Sequence, residues 1–336
     1  MSSATSKNYF LPTWFFVAFL GYYVIANSIF GESKDWENYN AMFDGYRING
    51  ISGDFEDRIE PGFKLLFFAL QGFFTSNIVI YAVIAALSLL VKCYAINSVS
   101  GARSVFLLTM AFYLFSFAPL HEATQLRAAL AISFLYLSYI ALARDRFFLL
   151  LLAFFLAVNF HLSALVLAPF LVVFYLFKRG ILVLTRAKLF IFSFSIFFLV
   201  TTTVSILLLV FGDILLVVSA YQQIGFGDEP ANPFSATVLL NIFMIFIGIF
   251  YWNDLTKGMQ MILVAQAAGA AFFYAALDFQ VVAYRVYELI QAFWVFYVAD
   301  GLRSERFHIR LIVMGFISAA AVAYSYIYFV RDGFFL

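Results

Sequence analysis

From residue 9 to residue 330 the chain is an almost unbroken series of apolar runs, at about 9–30, 62–74, 77–96, 104–119, 124–143, 147–159, 162–177, 188–211, 236–252, 259–276, 283–300 and 309–330. A helix needs about 20 apolar residues to cross a hydrocarbon core, somewhat fewer where protein thins the bilayer. A water-soluble fold also needs a polar skin, and this chain has little to make one from: 65% of its 336 residues are hydrophobic, 12% are charged and 46 are Phe. Soluble domains run at roughly half and a quarter. The expected fold class is therefore an all-α polytopic integral membrane protein, with about 10–12 membrane helices when short and re-entrant segments are counted. The net charge of +1 excludes a generic nucleic-acid binder. The single cysteine, Cys93, lies inside an apolar run, so it is expected to pack rather than to bridge or to bind metal. Residues 9–30 have a leader-like flank in Lys7 and Ala26-Asn27-Ser28, but their length suits a span better than a cleaved leader.

Charge sets the sidedness. Basic residues gather at Arg103, at Arg144 and Arg146, at Lys178, Arg179, Arg186 and Lys188, at Lys257, and at Arg303, Arg306 and Arg310. Residues 31–60 instead carry eight acids against three bases, and 211–235 carry Asp213, Asp228 and Glu229 with no base. The positive-inside rule puts the first set in the cytoplasm, with the N-terminus, and the two acidic loops outside. Arg103 is then inside only if 61–96 crosses an odd number of times. A straight helix of that length would measure about 54 Å, against a core of about 30 Å. The expectation is a short re-entrant helix at 62–74, dipping from the outer face, followed by one span. Residues 147–177 have basic residues at both ends, so they are expected to form a hairpin of short helices turning near Asn159-Phe160-His161. Non-helical backbone at membrane depth belongs where protein buries it or where it lines a cavity. No repeat or linker divides the chain, so one transmembrane domain, 1–336, is expected. Within its outer loop 31–60, Trp36, Tyr39, Asn40 and Phe43 have the spacing of a short amphipathic helix lying on the outer surface.

In this topology four distant polar segments open outward: "EDRIEPGF" (56–63), "HEATQLRAALA" (121–131), "NFHLSAL" (159–165) and "DFQVVAYRVYEL" (278–289). Arg127 lies one turn into a helix beginning near Thr124, and Arg285 lies near the outer end of the helix at 283–300. An arginine in a span costs roughly 2.5–3.5 kcal/mol on insertion scales, so something must offset it. One reading is a structural ion pair, Arg127 with Glu122 or Arg285 with Glu288, or snorkelling to headgroups. The other is an anion site, because guanidinium forks match phosphate oxygens in pairs and keep their charge at any relevant pH. Two such arginines facing one cavity suit a diphosphate at headgroup depth. His161 is either a hydrogen-bonded core residue or, at a tight turn in the outer half, a proton acceptor for a sugar hydroxyl. Glu60 abuts Pro61 at a helix start, where a carboxylate meets the positive end of the dipole. Three histidines in all, and the few acids of "GDFED", make no metal site, so neither metal nor cofactor is expected.

Taken together, Asp35, Tyr39 and Glu60-Pro61-Gly62-Phe63, then "LRAALA" (126–131), "FHLSAL" (160–165) and "YRVY" (284–287), resemble the EpsG family of bacterial exopolysaccharide polymerases, relatives of the Wzy O-antigen polymerases. The family pattern has Gln after the central Arg; here Ala128 stands there, and Gln125 precedes the Arg by two. The resemblance implies a GT-C-like membrane glycosyltransferase at the outer face of the bacterial inner membrane. It would join oligosaccharide repeat units carried on undecaprenyl diphosphate, with a lipid-linked chain as donor and a lipid-linked unit as acceptor. Its further partners would be membrane lipids and a chain-length regulator protein, and its oligomeric state stays open. On this reading Arg127 and Arg285 hold the donor diphosphate, and His161, or second Glu60, deprotonates the acceptor without metal and with inversion. Asp35, Tyr39, His121, Glu122, Gln125, Asp278, Tyr284 and Tyr287 are candidate glycan contacts. The rivals are an O-antigen ligase-like transferase, a flippase or transporter for lipid-linked sugars, and a membrane acyltransferase. The outer loops are short for the first, no repeat supports the second, and few polar residues face inward for the third.

Overall fold

The computed structural model describes residues 35–50, 60–183 and 231–327, with scattered residues between 185 and 202. The expected first span at 9–30, the acids Glu56 and Asp57, and most of 188–211 and of the loop 211–235 lie outside the described residues. The described residues are helical, without strands. Five helices are long and apolar enough to cross a membrane: Asn77–Ser100, Leu126–Ala143, Lys257–Ala275, Gln280–Leu302 and Phe307–Ser325. Shorter apolar helices lie at Arg103–Ser116, Phe147–Phe160, Leu162–Lys178 and Ala236–Phe250. The chain is an all-α polytopic membrane protein. Its described residues divide into two compact units, one within 1–98, 113–162 and 325–336, the other within 99–112 and 163–324.

The first unit begins with α1 (Trp36–Asn49) and α2 (Pro61–Gln71). Trp36, Tyr39, Met42, Phe43 and Tyr46 recur at helical spacing and are all buried, while Glu37, Asn38, Asp44 and Arg47 are exposed. The apolar stripe of α1 is covered by protein, not left to the membrane surface. Phe43 stacks on Phe67 of α2 at 4.5 Å between ring centroids, and Trp36 and Tyr39 each meet Tyr81 of α3 (Asn77–Ser100) edge-on at 5.5 Å. Asn77 fastens the far side, donating to Asn40 Oδ1 (2.6 Å) and Asp44 Oδ1 (2.8 Å). With 11 residues, α2 reaches about 16 Å, too short to cross.

After α4 (Arg103–Ser116), a single helical turn, α5 (Ala118–His121), leads into α6 (Leu126–Ala143). A tight turn at Arg144–Arg146 then returns the chain as α7 (Phe147–Phe160). Asp145 sits in this turn with φ 58°, a left-handed position that a short polar side chain tolerates. Helices α6 and α7 pack along their lengths. Both helices bury small residues, Ala128, Ala129 and Ala131 on α6 and Ala153 and Ala157 on α7, and small residues let backbones approach where lipid supplies no hydrophobic drive. Phe134 and Phe160 close the seam as a parallel stack at 5.4 Å.

The second unit contains α8 (Ala168–Lys178), α9 (Ala236–Phe250), α10 (Lys257–Ala275), α11 (Gln280–Gln291), α12 (Trp294–Leu302) and α13 (Phe307–Ser325). Thr256 caps α10, its hydroxyl accepting the Met259 N–H at 3.1 Å. The run expected as one helix at 283–300 is broken at Ala292–Phe293. At the break the Ile290 carbonyl accepts the Phe293 N–H at 3.1 Å, and Gln266 of α10 gives it a second donor at 2.7 Å. Asn241 of α9 binds both sides of the break, donating to the Tyr287 hydroxyl (2.7 Å) and accepting from the Trp294 indole (2.9 Å).

Candidate active site

Two helix ends build the site in the first unit. Glu60 immediately precedes Pro61, and proline holds the residue before it extended; Glu60 has φ −61°, ψ 140°. On the neighbouring element, α7 stops at Phe160 and His161 turns extended at φ −159°, ψ 112°, the break expected near Asn159-Phe160-His161. Helices α2 and α7 pack together, and Gly62 lets them do so. A Cβ on Gly62 would lie 2.8 Å from the Asn159 carbonyl oxygen, closer than real Cβ atoms come.

Glu60 and His161 consequently meet. Glu60 Oε1 lies 3.1 Å from His161 Nδ1 and accepts the Leu162 N–H at 3.2 Å. Its other oxygen, Oε2, accepts from Arg127 Nη1 at 3.0 Å. Arg127 is the second residue of α6, where backbone N–H groups have no partner within the helix. Its N–H points to the Tyr39 hydroxyl at 3.4 Å. Burial pushes the Tyr39 phenol above its ordinary value, although the Arg127 charge pulls the other way. Burial also raises the Glu60 carboxyl, but the His161 hydrogen bond and the Arg127 charge more than offset this, and it falls to about 2. The carboxylate is therefore ionised throughout the neutral range. An ionised carboxylate only accepts, so His161 Nδ1 carries the proton and, in the neutral ring, Nε2 carries the lone pair. Arg127 has the most exposed side chain of the three, 30% against 15% for His161 and 12% for Glu60.

The other expected residues are placed as follows. Asp35 precedes α1, and its carbonyl accepts the Tyr39 N–H. Tyr39 is buried among Phe43, Phe63 and Tyr81, so its ring offers no open face for a sugar to stack on. His121, Glu122 and Gln125 are buried in the turn that precedes Arg127; His121 lies parallel to Phe117 at 5.9 Å. Glu122 does not pair with Arg127. Its carboxylate is taken by Lys92 of α3, with Ser88 and Tyr113. Asp278, Tyr284, Arg285 and Tyr287 belong to the second unit. There Asp278 is exposed, Arg285 is half-buried, Tyr284 meets Phe273 edge-on at 5.3 Å, and Tyr287 is buried on Asn241.

Sequence reasoning missed Lys92 and the Leu162 N–H. Lys92 carried the signal that marked Arg127, a cation inside an apolar run, whereas a backbone donor leaves none. Among the described residues no group of three or more His, Cys, Asp or Glu is arranged to hold a metal ion. No curated protein and no solved structure matches the chain. One family profile does, covering residues 13–336 and taking in Glu60, Arg127 and His161 together: the chain belongs to the EpsG family.

Proposed function

We propose that the protein is a polysaccharide polymerase that joins lipid-diphosphate-linked oligosaccharide units, with Glu60, Arg127 and His161 at its catalytic centre. Membership of the EpsG family implies a role of the polysaccharide polymerase, glycosyltransferase-like kind. The observation that carries the finer reading is the single carboxylate of Glu60, shared by a guanidinium and an imidazole.

The acceptor hydroxyl oxygen attacks the anomeric carbon of the donor. The new C–O bond forms as the bond from that carbon to the diphosphate oxygen breaks, and the bonding pair leaves on the diphosphate. The hydroxyl proton passes to His161 Nε2, a buried atom that the docking acceptor must reach. Glu60 holds the ring in that tautomer and stabilises the imidazolium that results. Arg127, oriented by Glu60 and partly exposed, sets positive charge where negative charge accumulates on the leaving group; one such fixed donor is worth about 3–4 kcal/mol in other enzymes. Attack opposite the leaving group inverts the anomeric configuration. The natural carrier is undecaprenyl diphosphate, and the reaction takes place on the outer face of the inner membrane, the side to which the charge distribution assigns the acidic loop 31–60. The proposal rests on residues of the first unit alone.

The test is purified protein in detergent with a synthetic lipid-diphosphate-linked repeat unit. A ladder of products is expected from the wild type and none from Arg127→Ala. A single addition to an unrelated acceptor would point to a ligase, and substrate left unchanged would contradict the proposal.

A further inference from the structure

Between α4 and α6 the backbone leaves regular helix from Phe117 to Gln125 except for the one turn of α5, and Phe117, Ala118, His121, Glu122, Thr124 and Gln125 in it are buried. Irregular backbone among apolar helices must find its partners in the protein. They come from α3. The Tyr81 hydroxyl lies 3.0 Å from the Ala123 carbonyl and 3.3 Å from that of Thr124. Lys92, fully buried, ion-pairs with fully buried Glu122 and donates to Ser88 Oγ at 3.0 Å. Ser88 donates to Glu122 Oε1 at 2.9 Å, and Tyr113 donates to Oε2 at 2.6 Å. Ser133, two turns into α6, lies 3.0 Å from Ser88 Oγ and donates to the Ser88 carbonyl at 3.0 Å.

A buried ion pair is a poor source of stability, because desolving two charges offsets most of their attraction; its better-attested use is to specify one arrangement among several. The arrangement held here is the point at which α6 begins, four residues after Glu122. That point decides where Arg127 meets Glu60. We infer that Lys92 and Glu122 are positioning residues: they lock the buried turn so that Arg127 is delivered to the Glu60–His161 pair. The inference rests on the catalytic reading of Glu60, Arg127 and His161.

The test is a cycle in the purified full-length protein with the synthetic lipid-diphosphate-linked unit. It compares Lys92→Met/Glu122→Gln, which removes both charges and strands neither, with Arg127→Lys and with the triple variant. The paired variant is expected to melt near the wild-type temperature and keep KM within about threefold, yet lose at least about tenfold in kcat. Groups that act through one another are non-additive, so the triple variant should fall within about threefold of its slower parent. Wild-type kcat in the paired variant, or losses that multiply in the triple, would overturn the inference. Should the paired variant not fold, Lys92→Arg carries the same cycle: a slower kcat that does not multiply with Arg127→Lys supports the inference, and a wild-type or multiplying kcat overturns it. An Arg127→Lys enzyme with undiminished kcat would overturn the catalytic reading as well, so the two failures are distinct.

Discussion

Glu60 and His161 stand 101 residues apart in the chain, and Oε1 of the one lies 3.1 Å from Nδ1 of the other. Each occupies the extended residue at the end of a helix, and those helices pack because Gly62 has no side chain to keep them apart. The chemistry and the packing of the first unit therefore meet at one point.

The Glu60 carboxyl gives a pH prediction with a definite sign. Its value in the folded protein, about 2, lies below the ordinary 4.5. A group depressed on folding contributes stability that is present above its unfolded value and is lost as the pH falls through the folded one. The melting temperature of the wild type should accordingly fall between pH 4.5 and 2 by more than that of Glu60→Gln. Between pH 5 and 9 Glu60 stays ionised, so any acidic limb in the rate belongs to another group. Glu60→Gln should slow turnover about 100-fold or more, because His161 loses the carboxylate that holds its tautomer and stabilises the imidazolium.

Arg127→Lys keeps the charge but loses the planar fork that serves Glu60 and a phosphate oxygen together. Turnover should fall markedly in Arg127→Lys and further, by about 10²–10³, in Arg127→Ala. Single-turnover rates on protein with unchanged melting temperature provide the check.

Gly62→Ala reverses the usual rule. In an ordinary helix interior, alanine for glycine stabilises by about 0.5–1 kcal/mol. At Gly62 the added carbon would press on the Asn159 backbone, whereas at Gly72 its nearest neighbour is the Ala69 carbonyl at 3.5 Å. Gly62→Ala should lower both the melting temperature and turnover, and Gly72→Ala should change neither appreciably.

Gln266→Leu removes one of two donors to the Ile290 carbonyl at the break between α11 and α12; the carbonyl keeps the Phe293 N–H at 3.1 Å. Side-chain hydrogen bonds in membrane proteins average about 0.6 kcal/mol and reach about 1.7 kcal/mol. A loss of stability in that range is expected, measured by unfolding in mixed micelles. A variant as stable as the wild type would mean that the break does not need this donor.

Local pattern announced much of this architecture. The spacing of Trp36, Tyr39 and Phe43 marked α1, the polar interruption at Asn159–His161 marked the end of α7, and the onset of α6 lay two residues from the expected Thr124. Pairings across the fold left no local trace. Glu60 finds Arg127 over a separation of 67 residues, and nothing near either shows that Glu122, much closer in sequence to Arg127, is claimed by Lys92. Lys92 escaped notice because a single cation barely disturbs the apolar average of its helix. The break at Ala292–Phe293 has no proline or glycine beside it, and the side chain that braces it comes from another helix.

The central claim is that the imidazole of His161 takes the acceptor proton, and single-turnover transfer from a synthetic lipid-diphosphate-linked donor tests it most directly. His161→Ala protein that melts with the wild type should transfer at least about 100-fold more slowly at neutral pH. Transfer at the wild-type rate by that variant would contradict the claim.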